Sequence, residues 1–320
     1  MGKFYKILLL SCFFALTSFN LYSQQINLIR FNNSASYTPG SGVSVIINPT
    51  GVFQLDNQFI LELSNPGGTF TTPTVLNTLN EFYVPAINGV LPNSLAAGTY
   101  KLRVRSTQPA VTVDSNSFTV VSGSGISVPK ATSSILNNSN FFNCINCNND
   151  FTIFGSLNRS DIATVNNSIN PAGLRDLTIC NYDDNYTYTI KLISKIDVPT
   201  ASISSPININ HTNGIFTLPS TLSIGTHIFE IEKRNSTSIS VFSTIFLFHG
   251  NATNLGNSSS EQICVNDTVT FSIDRTITGI GRNYYGSKYR IDFGDNTINE
   301  YTHAQLIDLT RSALLNKINF

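Results

Sequence analysis

Four cysteines are the residues of this sequence whose type and spacing most readily suggest chemistry. Cys144 and Cys147 form a Cys-x-x-Cys pair, whereas Cys180 and Cys264 stand alone. Such a pair can bind zinc or perform thiol redox chemistry. A structural zinc site needs a second close pair of ligands, and no histidine lies near either lone cysteine. A thioredoxin-type site needs a helix after the pair, but residues 148–150, Asn-Asn-Asp, lead into a strand-like run.

The histidines and acidic residues give little support for catalysis. The sequence contains neither a Gly-x-Ser-x-Gly elbow nor a His-Glu-x-x-His pair. The adjacent carboxylates at 183–184 would point to opposite faces of an extended chain, which suits a turn. Asp292, Asp295 and Glu300 are an alternative calcium set, but without calcium-loop spacing they are interpreted as turn formers. Carboxylates on distant strands leave glycoside cleavage open. We predict a noncatalytic protein without metal or cofactor.

The first 23 residues predict export from the cytoplasm. Two lysines, Lys3 and Lys6, precede an apolar stretch over 7–16 and a more polar end, which is the order of a secretory signal peptide. The apolar stretch is too short to span a bilayer. A lipoprotein site at Cys12 is disfavoured because the apolar run continues past it. We expect cleavage near Ser23, export machinery as a partner, and no membrane span in the mature chain.

Composition and charge exclude a nucleic-acid partner. The 320 residues carry 19 basic and 19 acidic side chains, so charged residues make up only 12% of the chain, and like charges form no run. Such a sequence cannot build the basic stripe that binds phosphates. Removing residues 1–23 takes away two lysines and no acid, which leaves a net charge of −2. A surface glycan or a protein ligand stays possible.

Export changes the interpretation of the cysteines, because disulfides form in oxidising compartments. We interpret Cys144, Cys147, Cys180 and Cys264 as structural disulfide candidates. A bridge from Cys144 or Cys147 to Cys180 would staple one domain. Cys264 would then pair with a cysteine beyond residue 320.

Apolar residues alternate over short runs separated by Gly, Pro, Asn and Ser, which is typical of half-buried strands. In the run around Tyr100, the residues Leu102 and Val104 share its face, while Arg103 and Arg105 lie on the other, wet face. This spacing predicts an antiparallel sandwich of immunoglobulin type. The predicted strands cover about 26–31, 43–47, 58–63, 82–86, 99–105 and 117–121.

An internal repeat predicts a second sandwich. Residues 82–85, Phe-Tyr-Val-Pro, precede Leu-Ala-Ala-Gly-Thr-Tyr-Lys-Leu-Arg-Val at 95–104. Residues 216–219, Phe-Thr-Leu-Pro, precede Leu-Ser-Ile-Gly-Thr-His-Ile-Phe-Glu-Ile at 222–231, so that His227 takes the place of Tyr100. The strand at 59–63 corresponds to 188–192. We predict domains at 24–123 and 124–250, with a third segment at 251–320.

The third segment contains a recognisable motif. Tyr289, Arg290, Ile291, Asp292, Phe293, Gly294, Asp295 and Asn296 follow one another at its centre. This run resembles the Tyr-x-Trp-Asp-Phe-Gly-Asp-Gly core of the polycystic-kidney-disease (PKD) domain, a small immunoglobulin-like sandwich. Ile291 replaces the usual Trp, and Asn296 replaces Gly in a turn that needs positive φ. The family's final Gly-x-Tyr-x-Val strand does not follow, so we expect an incomplete PKD-like domain and an N-terminal fragment of a longer protein.

Together, the signal peptide, the Asn-rich sandwiches and the PKD-like motif resemble exported multidomain surface proteins of Bacteroidota. The resemblance implies an adhesin-like or gliding-motility-associated protein that leaves the cell by type IX secretion. We expect an all-β chain of tandem immunoglobulin-like antiparallel sandwiches, the last incomplete, that acts as a noncatalytic adhesive or structural spacer. Loops such as Asn88 to Ala97 would meet the ligand. The alternative is a set of accessory, carbohydrate-binding domains of a secreted hydrolase; Tyr284 and Tyr285 are the candidate aromatic pair.

The cysteine assignment predicts one bridge within residues 144–180. Mass spectrometry of the exported, unreduced protein should show Cys180 joined to Cys144 or Cys147. Free thiols at all three positions would contradict it.

Overall fold

The chain folds into short strands that pair mainly with antiparallel neighbours, as the alternating pattern predicts. The predicted signal peptide, residues 1–23, lies outside the described part. This computed structural model describes residues 24–126, 144–145, 154–158, 176–179, 182–196, 206–217, 225–249, 270–272, 286, 288–292, 296–305 and 317–319.

The first unit is a sandwich of two antiparallel sheets with orders β1-β2-β5 and β4-β3-β7-β8, accompanied by the pair β6-β9. Apolar side chains of the two sheets interleave, and Val43, Leu61 and Val104 are fully buried between them. The strands are β1 Gln25–Phe31, β2 Gly42–Thr50, β3 Phe59–Leu63, β4 Thr74–Leu79, β5 Ala86–Val90, β6 Gly98–Tyr100, β7 Leu102–Ser106, β8 Thr112–Asp114 and β9 Phe118–Val120.

A tyrosine corner marks the immunoglobulin type. The Tyr100 hydroxyl donates to the Ala96 carbonyl, four residues upstream, at 2.9 Å. Its ring packs against Phe118 in the core. This arrangement fixes the turn that leads into β6, and it is a hallmark of immunoglobulin-like sandwiches.

The predicted strand over 82–86 is wrong in position. Residues 82–84 are buried in the core without regular secondary structure, and the strand starts at Ala86. Asn and Gly are common in turns, but Asn88 and Gly89 both lie within strand β5. A Cβ on Gly89 would lie 2.9 Å from the Leu76 Cβ and 3.0 Å from a Leu61 methyl, so only glycine lets the sheets approach here.

The predicted strand over 99–105 is divided in the structure. Residues up to Tyr100 pair with β9, and residues from Leu102 pair with β3 and β8. Between them the Lys101 carbonyl accepts from the Ser64 N–H. The predicted faces of this strand are confirmed, since Leu102 and Val104 are buried and the alternating Arg103 and Arg105 are half exposed. The edge strand β4, which lacks alternation, and the three-residue strand β8 escaped prediction.

The second unit contains two further sheets, ordered β10-β12-β16-β15 and β11-β18-β17-β13-β14. Most pairs are antiparallel, but β10 runs parallel to β12 and β11 runs parallel to β18. The strands are β10 Cys144–Ile145, β11 Phe154–Asn158, β12 Asp176–Ile179, β13 Thr187–Ile196, β14 Ile207–Ile209, β15 His211–Thr212, β16 Ile215–Thr217, β17 Gly225–Arg234 and β18 Ile239–His249.

The repeat predicted from sequence recurs as an identical strand register. In the first unit Leu61 faces Val104, and Leu63 faces Leu102. Their counterparts in the second unit pair in the same way: Ile190 faces Ile231, and Leu192 faces Phe229. The strands β7 and β17 thus occupy the same place in two sheets. The domain limits proposed above remain predictions.

The third segment contributes two strand pairs, and its PKD-like motif begins in a hairpin. Tyr289 and Asp292 lie in β20, Ile291 is buried, and Asn296 has a φ of 73°, the positive value expected for its turn. Phe293, Gly294 and Asp295 lie outside the described residues. The strands are β19 Thr270–Ser272, β20 Lys288–Asp292, β21 Ile298–Thr302 and β22 Lys317–Asn319; β19 pairs with β22 and β20 with β21.

A helical turn follows β21 directly. Residues 303–305 are helical, and Thr302 and Gln305 form a reciprocal cap. The Gln305 side chain accepts from the Thr302 N–H at 2.7 Å, and the Thr302 hydroxyl accepts from the Gln305 N–H at 3.2 Å. This capping box satisfies donors that a helix start leaves unpaired.

The tyrosine corner can be tested by removing one oxygen. Tyr100→Phe keeps the ring but leaves the Ala96 carbonyl without its donor, so the free energy of unfolding should fall by about 1 kcal/mol. Urea denaturation followed by circular dichroism measures the change. Tyr186→Phe, which removes the hydroxyl of a half-buried tyrosine of the second unit, is the control. Equal midpoints for the wild-type and Tyr100→Phe chains would contradict the role of the corner.

Candidate functional site

The most distinctive polar arrangement lies where the first unit packs on the second. The outer face of the β1-β2-β5 sheet covers the face of β17 and β18, and contacts link β18 with both β2 and β5. We call this interface the joint. Its polar residues are Arg30, Asn32, Thr38, Ser44 and Asn88 on the first unit, and Glu230, Glu232, Ser238, Ser240 and Ser243 on the second.

The charged end of the joint contains an ion pair between Arg30 and Glu230. The Arg30 Nε–H is shared by the two Glu230 carboxylate oxygens, at 3.0 and 2.9 Å. The Glu230 side chain is only 1% exposed, whereas 28% of Arg30 remains exposed. The hydrogen bond that Arg30 donates to Glu230 raises the pKa of Arg30, although burial of the guanidinium acts in the opposite direction. Arg30 therefore stays charged.

A second carboxylate lies beside the first. Asn32 Nδ2 donates to Glu232 Oε2 at 2.6 Å, and Arg234 Nε donates to the other oxygen at 2.7 Å. The buried Tyr37 hydroxyl donates to the Asn32 carbonyl at 2.7 Å. Burial raises the pKa of Tyr37 well above its usual value, and the nearby Glu230 and Glu232 add to the shift. Tyr37 therefore stays a neutral donor that holds Asn32 in place.

Hydroxyl and amide groups form the other end of the joint. Asn88 binds the backbone of Ser243 twice: its Nδ2 donates to the Ser243 carbonyl, and its Oδ1 accepts from the Ser243 N–H, both at 2.8 Å. The Ser44 and Ser243 hydroxyls are 2.6 Å apart, and the Gly42 N–H donates to Ser240 at 2.9 Å. Asn88 thus pairs with β18 as a neighbouring strand would. The prediction that an adhesive loop begins at Asn88 is wrong, because this residue lies in β5 and is buried in the joint.

Apolar contacts fill the space between the polar pairs. Ile46 and Ala86 of the first unit form one buried cluster with Ile193 and Ile228 of the second. Farther along β18, Ile239 and Val241 join the core of the first unit. In consequence β17 and β18 are buried on both faces, since Phe229, Ile231 and Phe242 enter the core of the second unit.

The paired residues keep an almost constant separation along the chain. Arg30 contacts Glu230, Asn32 contacts Glu232, and Thr38 contacts Ser238 at 2.8 Å, each 200 positions apart. The β1–β2 hairpin therefore lies on the β17–β18 hairpin with both running in the same direction. This is the aligned mode of sheet packing, in which the strand directions of two stacked sheets stay close.

The equivalent strand of the first unit has a different role. By the repeat, Arg103 and Arg105 occupy the places of Glu230 and Glu232. Arg103 pairs with Asp114 at 2.8 Å, and Arg105 pairs with Glu62 at 2.6 Å, within their own sheet. The Arg103 guanidinium also lies over the Phe70 ring at 3.8 Å. The same two positions thus lie on a half-exposed face of β7 in the first unit and in a buried interface on β17 in the second.

Of the sequence-predicted cysteines the structure describes Cys144, which is not among the joint residues named above. Cys144 lies in β10, which pairs with β12, and β12 ends one residue before Cys180. Cys147, Cys180 and Cys264 lie outside the described residues, as do Tyr284 and Tyr285, so the predicted bridges remain predictions. Within the described ranges no three His, Cys, Asp or Glu side chains gather as metal ligands would.

The described histidine side chains lie in packed surroundings. The His211 ring lies beside Tyr182 and Tyr188, with centroids 6.0 and 6.2 Å away, and its Nδ1 accepts from the Gly214 N–H. Burial lowers the pKa of His303 to about 4, so this ring is neutral at physiological pH. His227 lies in β17, as expected from its place in the repeat.

An aromatic cluster at the end of the second unit was not predicted. Lys233 lies 4.2 Å above the Tyr186 ring, and burial lowers the pKa of this lysine. The Tyr182 ring packs 4.9 Å from Tyr188 on one side, and a Cβ on Gly214 would lie 2.7 Å from it. Burial raises the pKa of Tyr188 to about 12. The rings close the end of the core, so the cluster is a structural cap.

Comparisons with known proteins give only distant likenesses. No protein-family model matches the chain, and no curated protein sequence matches it. The chain is similar to the N-terminal four Ig domains of Dscam1 isoform 4.4, with 8% identity over 93% of this chain and 66% of that one, at a TM-score of 0.29. It is also similar to the FN1–FN3 domains of chicken CNTN1, with 8% identity over 87% and 85%, at a TM-score of 0.23.

The chain spans just under two thirds of the Dscam1 structure. TM-scores this low carry no conclusion about function, so the fold class rests on the strands, registers and tyrosine corner described above. No helix in the described ranges has the length and apolar character needed to cross a membrane.

The joint predicts a large difference between two similar arginines. Arg30→Met leaves the Glu230 carboxylate buried without its cation, which should cost about 2–4 kcal/mol of unfolding free energy. Arg103→Met is the matched control: its side chain is 27% exposed, close to the 28% of Arg30, but its partner Asp114 is 40% exposed. Loss of such an exposed pair should cost about 0–1 kcal/mol.

Chemical denaturation of residues 24–320, followed by circular dichroism, compares the two variants. Because the stranded acid sets the cost, the double variant Arg30→Met/Glu230→Met should recover much of the loss. Equal destabilisation by Arg30→Met and Arg103→Met would contradict the assignment of the joint.

Proposed function

We propose that this protein is a noncatalytic, exported cell-surface protein in which immunoglobulin-like sandwiches form a rigid support for adhesion or spacing. The observation that carries the proposal is the joint. Its carboxylates, Glu230 and Glu232, are buried and bound to side chains of another sheet. Groups held in this way fix two domains relative to each other and are closed to a substrate.

The sandwich ends are where a ligand would bind. Rigid sheets hold variable connections at their ends, and the connection between β5 and β6 is largely exposed over residues 93–97. The same end contains the exposed Thr71 and Thr72 between β3 and β4. A surface glycan or a protein is the proposed ligand class. Type IX export and an association with gliding motility belong to this proposal through the resemblance stated above.

Location and rigidity provide the test. Antibodies raised against residues 24–126 should label intact source cells, and protease added outside should remove the label. Spin labels at the exposed positions Thr112 of β8 and Asn208 of β14 should give one narrow distance distribution in double electron–electron resonance. Labelling only after lysis would defeat the surface assignment, and a broad distribution would defeat the rigid support.

A further inference from the structure

The chain contains two Asn-Gly pairs, and the structure gives them different surroundings. Asn213 and Gly214 form the turn between β15 and β16, where Asn213 is exposed and the two φ values are 51° and 77°. Asn88 and Gly89 lie within β5, and Asn88 is only 2% exposed. An asparagine amide before glycine is easily hydrolysed, because glycine has no Cβ to keep its backbone nitrogen away from the amide carbon.

The hydrolysis of such a pair proceeds through a cyclic imide. At β5, the Gly89 backbone nitrogen would lose its proton and bond to the Asn88 Cγ, while the bond from Cγ to Nδ2 breaks and Nδ2 leaves as ammonia with that proton. Water then opens the imide at either of its carbonyl carbons and gives aspartate or isoaspartate. Water is consumed, ammonia is released, and nothing is oxidised or reduced. The reaction requires the Asn88 side chain to turn toward the peptide unit that follows it.

The closed joint holds the two reacting groups apart. Asn88 Nδ2 donates to the Ser243 carbonyl, and Asn88 Oδ1 accepts from the Ser243 N–H, both at 2.8 Å. The attacking nitrogen belongs to the same peptide unit as the Asn88 carbonyl, which accepts from Asn77 Nδ2 at 2.7 Å. The target amide and the attacking peptide unit are thus fixed by different partners, and both lie away from water.

Packing requires each member of this labile pair for a separate reason. A Cβ on Gly89 would lie 2.9 Å from the Leu76 Cβ, so a larger residue does not fit there. Asn88 supplies a donor and an acceptor on two separate atoms, which is what the carbonyl and the N–H of Ser243 need. The fold therefore keeps a reactive dipeptide in its interior and depends on the joint to protect it.

We propose that Asn88 and Gly89 are a latent modification site that makes opening of the joint irreversible. Apolar contacts help to keep the joint closed, since Ile239 and Val241 of β18 are buried in the core of the first unit. When the joint opens, the Asn88 side chain is freed and water reaches it. The inference concerns the lifetime of the joint, so its failure would leave the proposed surface location and ligand class untouched.

The products cannot restore the contacts that Asn88 makes. Aspartate at this position has no donor for the Ser243 carbonyl, and it would place an unpaired charge inside the joint. Isoaspartate in addition lengthens the main chain of β5 by a carbon atom, which disrupts the register in which Asn88 faces Ser44. A chain modified in the open state therefore stays open.

Variants that weaken the joint should expose Asn88 to the reaction. The exported chain is incubated at mildly alkaline pH, and peptide mapping by mass spectrometry follows aspartate and isoaspartate at positions 88 and 213. In the folded wild-type chain, Asn88 should react at least about tenfold more slowly than in guanidinium, because only opened molecules react. Arg30→Met, which leaves Glu230 without its cation, should raise the rate at Asn88 by about tenfold or more.

Two controls separate opening of the joint from unfolding. Leu102→Ala removes a fully buried side chain from the core of the first unit, but Leu102 makes no contact across the joint. It should destabilise the fold about as much as Arg30→Met does and leave the rate at Asn88 unchanged. Asn213, which lies in its exposed turn, is the internal reference and should react at the same rate in all three folded chains.

A second measurement examines the product itself. Spin labels at Thr112 and Asn208 should give a broad distance distribution in the Asn88→Asp chain and a narrow one in the Asn213→Asp control. Equal rates at Asn88 in the wild-type and Arg30→Met chains would overturn the proposal, as would equal rates in the folded and unfolded wild-type chains. A narrow distribution for Asn88→Asp would also overturn it. If Arg30→Met fails to fold by circular dichroism, the Asn88→Asp distances decide.

Discussion

A carboxylate buried between two sheets constrains how the first and second units are arranged. Glu230 lies in the centre of a strand whose two faces are both covered, and its carboxylate is paired with a cation from another sheet. Arg30 reaches it from the other unit while part of its guanidinium stays in water. Removal of either partner alone is costly, since a buried charge without its partner loses far more than an exposed one. The two units are thus held at one position.

The repeat shows how one strand pattern can serve two purposes. β7 and β17 place apolar residues at the same positions of the same register, and these residues build the two cores. The alternating positions between them are free to differ. In β7 they carry arginines that pair within their own sheet, and in β17 they carry glutamates that pair with another sheet. The core sets the fold, and the opposite face sets what the fold contacts.

The sequence contains enough to predict the all-β class, most strands of the first unit and the register of the repeat, because these depend on local alternation. It does not contain a local signal for the joint. Glu230 and Glu232 alternate with apolar residues as a wet face would, and only the approach of a distant sheet buries them. Asn88 and Gly89 are residue types common in loops, so their place in a strand has no local signal either. The Asn88 amide pairs with β18, and Gly89 has no Cβ that would collide with the facing sheet; both roles are visible only once the contacting residues are known.

The double-sided burial of β17 also bears on how the two copies of the repeat can diverge over evolutionary time. A change at Arg103 is tolerated alone, because its partner Asp114 is 40% exposed. A change at Arg105 must be matched at Glu62, but both residues belong to the first unit. A change at Glu230 or Glu232 is tolerated only if Arg30 or Asn32 changes in step, two hundred positions away. Substitutions should therefore accumulate singly at Arg103, whereas those at Glu230 and Glu232 should be matched by changes in the other unit, so that two halves of one ancestral pattern drift at different rates.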